Sequence, residues 1–275
     1  MDPHAWQRLP LASNIDAIKS AARAFWDVPE AASVVVAPGT SALIARIPAV
    51  LQGRQVAIAE PTYNEHRRAF ENCGWEVSET AKTRVVVHPN NPDGRLWHLR
   101  EISEDAAWVI DESFCDTLPE SSLVETAARP GTIILKSMGK FWGLAGLRLG
   151  FAICLPETAI KLEHALGPWA VSGPALQIGT RALEDVTWAA QTRARLERDA
   201  ARLDRMLAQS GLTVVGGTSL FRLAEGQKAR ALHEALAHSR IWTRVFPYRA
   251  DWLRLGIPGP ADDWQRLANA LEDAQ

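Results

Sequence analysis

The chain has 275 residues, of which 47% are hydrophobic and 23% charged, and its formal net charge at pH 7 is −2. This composition excludes an intrinsically disordered chain, and the slightly acidic balance argues against nucleic acid as the main ligand. The length predicts two domains or one large α/β unit.

Short apolar runs alternate with helical patterns along the first 170 residues. Buried strands separated by helices are typical of a mostly parallel sheet covered on both faces, so the predicted fold class is α/β. Ligands of such sheets bind at the carboxyl ends of the strands. The predicted strands are 33–37, 55–59, 84–87, 108–110, 132–135 and 148–154, and the predicted helices between them include 41–51 and 63–72.

The pattern changes after residue 166. Residues 174–210 form one long helical pattern, and strand and helix patterns then alternate as in an α+β domain. We therefore predict a large α/β domain over residues 21–170, and a smaller α+β domain from residues 1–20 and 171–275. In the smaller domain the predicted strands are 212–215, 219–223, 241–246 and 252–255, and the predicted helices are 228–238 and 261–273.

The stretch from Ser137 to Arg148 is glycine-rich and follows the strand run TIILK. The amine of Lys140 could form a Schiff base with an aldehyde. The Ser137 hydroxyl and the Arg148 guanidinium could hold a phosphate. A solvated surface loop is the alternative interpretation of this stretch.

Three further motifs follow predicted strands. Asp111 could stabilise a protonated pyridine nitrogen, or it could cap a turn. Asn91, in the sequence HPNNPDG, could bond a phenolic oxygen or simply form the turn. Tyr63 could stack on a planar cofactor or pack in the core.

The segment Gly39, Thr40 and Ser41 links the first strand to a helix. Backbone N–H groups at a helix N-terminus bind anions, although an ordinary helix cap has the same sequence pattern. Because all of these motifs follow strands of one predicted sheet, we expect them at one edge of it.

As a set, the motifs G-T-S, P-T-Y, N-P-D-G, D-E-S-F and S-M-G-K, with an arginine eight residues after the lysine, resemble a known family. They are similar to fold-type I pyridoxal-phosphate (PLP) enzymes of the class I/II aminotransferase superfamily, over nearly the whole chain.

The resemblance implies PLP as cofactor, a seven-stranded large-domain sheet and a homodimer. It implies that Lys140 is the Schiff-base lysine, that Asp111 pairs with the pyridine nitrogen, that Asn91 bonds the ring hydroxyl and that Tyr63 stacks on the ring. It also implies that Gly39, Thr40, Ser41, Ser137 and Arg148 bind the cofactor phosphate, and that Arg254 binds the substrate carboxylate.

Within that superfamily, the stretches P-T-Y-N-E-H and W-L-R-L-G-I-P resemble the branch that decarboxylates L-threonine O-3-phosphate in cobalamin biosynthesis. Phe114 stands where many aminotransferases carry a tyrosine, and phenylalanine cannot donate the hydroxyl bond. The resemblance implies a small phosphorylated amino acid as substrate and (R)-1-amino-2-propanol O-2-phosphate as product. The alternatives are an aminotransferase acting on histidinol phosphate or a related amino acid, and a non-catalytic PLP-binding module.

Other residues have simpler interpretations. His66 is expected to be a core or surface histidine, and Arg244 and Arg249 are expected to be solvated. Cys115 is expected to pack in the core, and no cluster has the spacing of a metal site. Three scattered cysteines favour a reducing, cytoplasmic setting, and neither a signal peptide nor a membrane span is expected.

Overall fold

The computed structural model describes residues 2–274. By their contacts these residues form two compact units. Unit 1 contains residues 2–90 and 96–186, and unit 2 contains residues 91–95 and 187–274. Within residues 2–274, no helix is both long and apolar enough to span a membrane.

Unit 1 contains, in the part of the chain that the structure describes, a seven-stranded sheet in the order β1-β7-β6-β5-β4-β2-β3. Strand β7 runs antiparallel to both of its neighbours, and the other paired strands are parallel. The predicted α/β class with a mostly parallel seven-stranded sheet is confirmed. The strands are β1 (Ser33–Ala37), β2 (Gln55–Ile58), β3 (Glu76–Val77), β4 (Thr83–Val87), β5 (Ala107–Asp111), β6 (Thr132–Ser137) and β7 (Gly150–Cys154).

The topology of this sheet brings many strand ends together. Because β7 opposes both β1 and β6, the carboxyl ends of β1, β2, β4, β5 and β6 lie at one edge, together with the amino end of β7. This shared edge is where ligands bind in open α/β sheets.

Helices cover the sheet of unit 1 because alternate strand residues present apolar side chains to each face. Val35, Val85 and Ile133 are buried against Leu43 of α2 and Phe70 of α3. Helix α1 packs against α5. The helices are α1 (Ala12–Phe25), α2 (Thr40–Val50), α3 (Glu65–Asn72), α4 (Pro156–Leu166) and α5 (Gly173–Glu184).

Unit 2 has its own antiparallel sheet, which in the described residues has four strands in the order β10-β11-β9-β8. Its core includes Leu207, Leu236, Leu253 and Trp264. Segment 91–95 joins this unit through a bond from the Gly217 N–H to the Asp93 carbonyl, 2.8 Å long. The elements are α6 (Val186–Gln209), β8 (Thr213–Thr218), β9 (Phe221–Glu225), α7 (Ala229–His238), β10 (Arg244–Phe246), β11 (Arg249–Gly256) and α8 (Ala261–Glu272).

Two differences from the predicted organisation concern the long helical pattern and the grouping of the N-terminal residues. The helical pattern over 174–210 is two helices, because the backbone leaves the helical region at Asp185, between α5 and α6. The contacts also group residues 2–20 with unit 1, since α1 packs against α5, whereas the predicted domains pair residues 1–20 with 171–275. Which residues fold together as one domain therefore remains a prediction.

Candidate active site

The predicted lysine lies in the loop that joins β6 to β7. Because β7 runs back antiparallel to β6, the loop starts and ends at the same edge of the sheet. The Gly143 N–H donates to the Lys140 carbonyl at 3.0 Å, which closes a tight turn around the lysine. The Lys140 side chain is exposed, and its Nζ lies 5.4 Å from the centre of the Phe114 ring.

An anion cradle lies between this loop and α2. Arg148 has a φ of +53°, in the left-handed region, and its guanidinium lies against Gly39. A Cβ on Gly39 would be 2.6 Å from the Arg148 Nη2, and one on Gly150 would be 2.4 Å from the Thr40 nitrogen. The two glycines therefore permit the guanidinium and the N-terminus of α2 to share one small space, a combination that attracts phosphate.

The two serines of the predicted phosphate site lie at the same edge. Ser41 is exposed in the first turn of α2. Ser137 ends β6, opposite Gly150 in the strand register, and its Oγ accepts a 3.2 Å bond from the Gly139 N–H. The Thr40 Oγ1 bonds the Lys136 carbonyl at 3.4 Å. Unit 1 thus brings all five residues predicted to bind phosphate to one end of its sheet.

Asp111 is buried at the carboxyl end of β5 and is fully hydrogen-bonded. Its Oδ2 accepts a 2.9 Å bond from His66 Nε2, and its Oδ1 accepts bonds from the Ser113 N–H at 3.0 Å and the Ser113 hydroxyl at 2.5 Å. Burial by itself would raise the pKa of Asp111, but the bonds from His66 and Ser113 lower this pKa below its ordinary value. The carboxylate is therefore ionised at neutral pH.

His66 is a site residue that the sequence interpretation missed. It lies three residues after Tyr63, and its N–H donates to the Tyr63 carbonyl at 3.4 Å as α3 begins. The two ring centres are 6.1 Å apart in an edge-to-face arrangement. The i, i+3 spacing was the available signal, but the partner Asp111 is 45 residues away in sequence.

Unit 2 holds the other two predicted residues. Arg254 Nη1 donates to the Asn91 Oδ1. The pairing of β10 with β11 puts Arg244 directly opposite Arg254, and burial together with the charge of Arg244 lowers the pKa of Arg254 to about 10. Arg249, by contrast, is paired with Asp251 at 2.9 Å and Glu225 at 2.6 Å.

A buried polar cluster lies next to the Asp111 segment in unit 1. His88, Glu112 and Cys115 bring potential metal-ligand atoms within 4.8 Å of one another, which their sequence spacing does not suggest. The Glu112 carboxylate, however, is neutralised by Lys136 Nζ at 2.5 Å. Burial raises the pKa of the Cys115 thiol well above its ordinary value, which makes this thiol unreactive. This agrees with the predicted packing role of Cys115.

Comparison with known proteins agrees with this geometry. Residues 11–271 match the family model for aminotransferase class I and II. The chain is 37% identical to a threonine-phosphate decarboxylase of Pseudomonas aeruginosa and 39% identical to one of Sinorhizobium sp., each over 97% of this chain and 85% of the relative. A solved structure of histidinol-phosphate aminotransferase from Sinorhizobium meliloti, in complex with pyridoxal-5'-phosphate, matches with a TM-score of 0.84 at 20% identity, over 98% of this chain and 83% of that one. This chain is therefore a member of the class I and II aminotransferase family.

Proposed function

We propose that this chain is a PLP-dependent carboxy-lyase that converts L-threonine O-3-phosphate to (R)-1-amino-2-propanol O-2-phosphate. The observation that carries the proposal is the similarity to two threonine-phosphate decarboxylases over 97% of the chain. A histidinol-phosphate aminotransferase of Archaeoglobus fulgidus is less similar, at 28% over 87% of the chain, so transamination is the second candidate.

The side chains of unit 1 fit PLP in their chemistry. A Cβ on Gly39 would meet the Arg148 guanidinium, and one on Gly150 would meet the Thr40 nitrogen. The cradle that these two glycines leave open, with Thr40, Ser41 and Ser137, is suited to the cofactor phosphate. The ionised Asp111 is suited to a protonated ring nitrogen, and the half-buried Tyr63 to stacking on the ring. In unit 2, Arg254 holds the Asn91 amide oxygen, so the Nδ2 of Asn91 is the group that would donate to the ring hydroxyl.

The reaction divides between the cofactor and the protein. When bound, PLP supplies an electron-poor ring that accepts the electron pair released as carbon dioxide leaves. Lys140 would hold the aldehyde through its amine, and the same amine, once released, can return a proton to the substrate carbon. Phe114 provides an apolar surface near this amine and no competing hydroxyl.

The arginine pair of unit 2 is suited to a substrate with two anionic groups. Like charges directly opposite each other across two strands repel, so a ligand with both a carboxylate and a phosphate relieves the repulsion between Arg244 and Arg254. We assign the carboxylate to Arg254. The finer parts of the proposal are a homodimer, which the family resemblance implies, and a step in cobalamin biosynthesis, which the same resemblance and the names of the relatives support. A cytoplasmic location is also proposed, because the three scattered cysteines favour a reducing setting.

Mass spectrometry of the products tests the proposal. With PLP and L-threonine O-3-phosphate, we expect aminopropanol phosphate and loss of carbon dioxide, and Lys140→Ala should abolish both. Lys161→Ala is the control, because this exposed lysine pairs with Glu157 on α4 and should retain full turnover. A keto acid together with pyridoxamine phosphate would identify an aminotransferase, and cofactor binding without turnover of any amino acid would identify a binding module.

A further inference from the structure

Asp116 is a buried carboxylate in unit 1 that the proposed reaction does not use. It lies five residues after Asp111 and is 3% exposed. Its Oδ1 accepts a 2.8 Å bond from the Trp26 indole N–H, and its Oδ2 accepts a 2.7 Å bond from the Trp142 indole N–H. Two donors from distant parts of the chain therefore converge on one carboxylate.

The two tryptophans belong to different elements. Trp26 ends α1, whereas Trp142 lies two residues after Lys140 in the loop between β6 and β7. Trp142 is buried, and its ring contacts Phe25 at 5.0 Å and Phe141 at 5.2 Å between ring centres. Within the loop between β6 and β7, here called the lysine loop, the Trp142 side chain is thus buried and packed, whereas the Lys140 side chain is exposed.

The segment that carries Asp116 also carries Asp111 and Phe114. Phe114 lies under the Lys140 ammonium, and Asp111 begins the same segment at the end of β5. The Asp116–Trp142 bond therefore ties the lysine loop to the segment that presents the ring-nitrogen carboxylate. A buried acceptor that loses its donor costs free energy, so the Trp142 indole N–H helps to fix the position of this carboxylate.

We propose that Asp116 is a positioning residue, which through Trp142 fixes Lys140 relative to Asp111. The inference rests on the proposed function, because the proposed function assigns Lys140 and Asp111 to the two ends of one bound PLP. Asp116 touches neither the cofactor nor the substrate in this role. Asp116 instead sets the distance between the Lys140 amine and the Asp111 carboxylate, which must match the length of the PLP ring.

The test compares Trp142→Phe with Trp26→Phe. Each variant replaces one buried tryptophan and removes one indole donor from Asp116, but only Trp142 belongs to the lysine loop. The first readout is hydrogen exchange of amides 138–149 in the protein without cofactor. The others are the visible absorption band of the protein loaded with PLP, titrated against pH, and the separate values of kcat and KM.

We expect Trp142→Phe to speed amide exchange in 138–149, to shift the pH midpoint of the visible band and to lower kcat about tenfold or more with little change in KM. Trp26→Phe should change each of these less than about twofold, even where the two variants lose similar thermal stability. Asp116→Leu, which removes both acceptor oxygens at similar volume, should behave like Trp142→Phe. Equal effects of the two tryptophan variants on all three readouts would overturn the proposal.

The same measurements separate this inference from the proposed function. If the wild-type protein forms no visible band with PLP, the proposed function fails. If it forms the band and Trp142→Phe leaves its pH midpoint and the exchange of residues 138–149 unchanged, only the role of Asp116 fails.

Discussion

At the scale of single residues, the hydrogen-bond partners of buried His88 fix its protonation state. The Trp97 N–H donates to its Nδ1 at 2.9 Å, and its Nε2 donates to the Ser121 carbonyl at 2.7 Å. One ring nitrogen must accept and the other must donate, which only the neutral imidazole can do. Burial, the largest influence, lowers the pKa of His88 below its ordinary 6.5.

Because His88 is neutral in the folded protein, we expect the protein to lose stability in acid. The unfolded chain takes up a proton near pH 6.5 while folded His88 stays neutral, so the unfolding free energy should fall as the pH drops below about 6.5, by up to about 1.4 kcal/mol per pH unit. Urea unfolding at pH 7.5 and 5.5 measures the effect. His88→Asn should be less stable but should depend less on pH, whereas His164→Asn, at an exposed position on α4, should keep the wild-type dependence. An unchanged pH dependence in His88→Asn would contradict this account.

The sequence indicates site residues whose signals are local. Lys140, Arg148 and Asp111 follow strand patterns at recognisable spacings, and the fold brings each to the expected edge of its sheet. Asp116 lacks such a signal and His66 has only its spacing from Tyr63, because the partners of Asp116 are 26 or more residues away and the partner of His66 is 45 residues away. Side-chain contacts of this kind depend on how the helices pack, which periodicity does not report.

At the scale of elements, the junction of α2 with β7 depends on Gly150. An added Cβ at Gly150 would lie 2.4 Å from the Thr40 nitrogen and 2.9 Å from the Gly39 carbonyl carbon. Both contacts are with backbone, so the strand and the helix would have to move apart. The anion cradle is therefore sensitive to a single methyl group.

We expect Gly150→Ala to cost about 1–3 kcal/mol of stability and to weaken PLP binding, because the helix N-terminus moves away from Arg148. Thermal unfolding and cofactor titration measure the two effects. Gly146→Ala is the control in the same loop, since its Cβ would meet nothing within 4 Å, and it should leave cofactor affinity intact. Equal cofactor affinity in the two variants would show that the junction tolerates movement.

Strands with long apolar runs were predictable from the sequence, whereas a very short strand and a break between two helices were not. Strands β1 and β5 follow uninterrupted β-branched or apolar sequences. Strand β3 has two residues, too few for a periodic pattern. The division between α5 and α6 was hidden because apolar spacing continues through Asp185, and a change of backbone direction at one residue leaves little trace in periodicity.

At the scale of the whole molecule, the described residues form two units with separate cores. We expect Leu253→Ala, in the core of unit 2, to cost about 2–5 kcal/mol and to expose amides of β9, β11 and α8 to exchange. Amides of β5 and β6 should stay protected. Ile133→Ala, in the core of unit 1, should give the reciprocal result, and hydrogen exchange with mass spectrometry measures both.

The same experiment decides where the N-terminal residues belong. If amides of α1 lose protection with Ile133→Ala, the contact-based grouping describes the folding unit. If they lose it with Leu253→Ala, the predicted pairing of residues 1–20 with 171–275 is right. Simultaneous loss throughout both units in either variant would show that the chain unfolds as one cooperative body.

The return of the chain through β7 has a consequence for how this loop can change in evolution. A crossover after β6 would deliver the next strand's first residues to the far edge of the sheet, but the antiparallel β7 delivers Arg148 to the edge that Lys140 has just left. The distance between amine and guanidinium is thus set by the number of residues in one short loop. Exposed Gly146, whose added Cβ would meet nothing within 4 Å, can accept a new side chain, whereas Gly143 is held to glycine by its φ of +68°. The gain or loss of a single residue changes the length of ligand that the loop can hold.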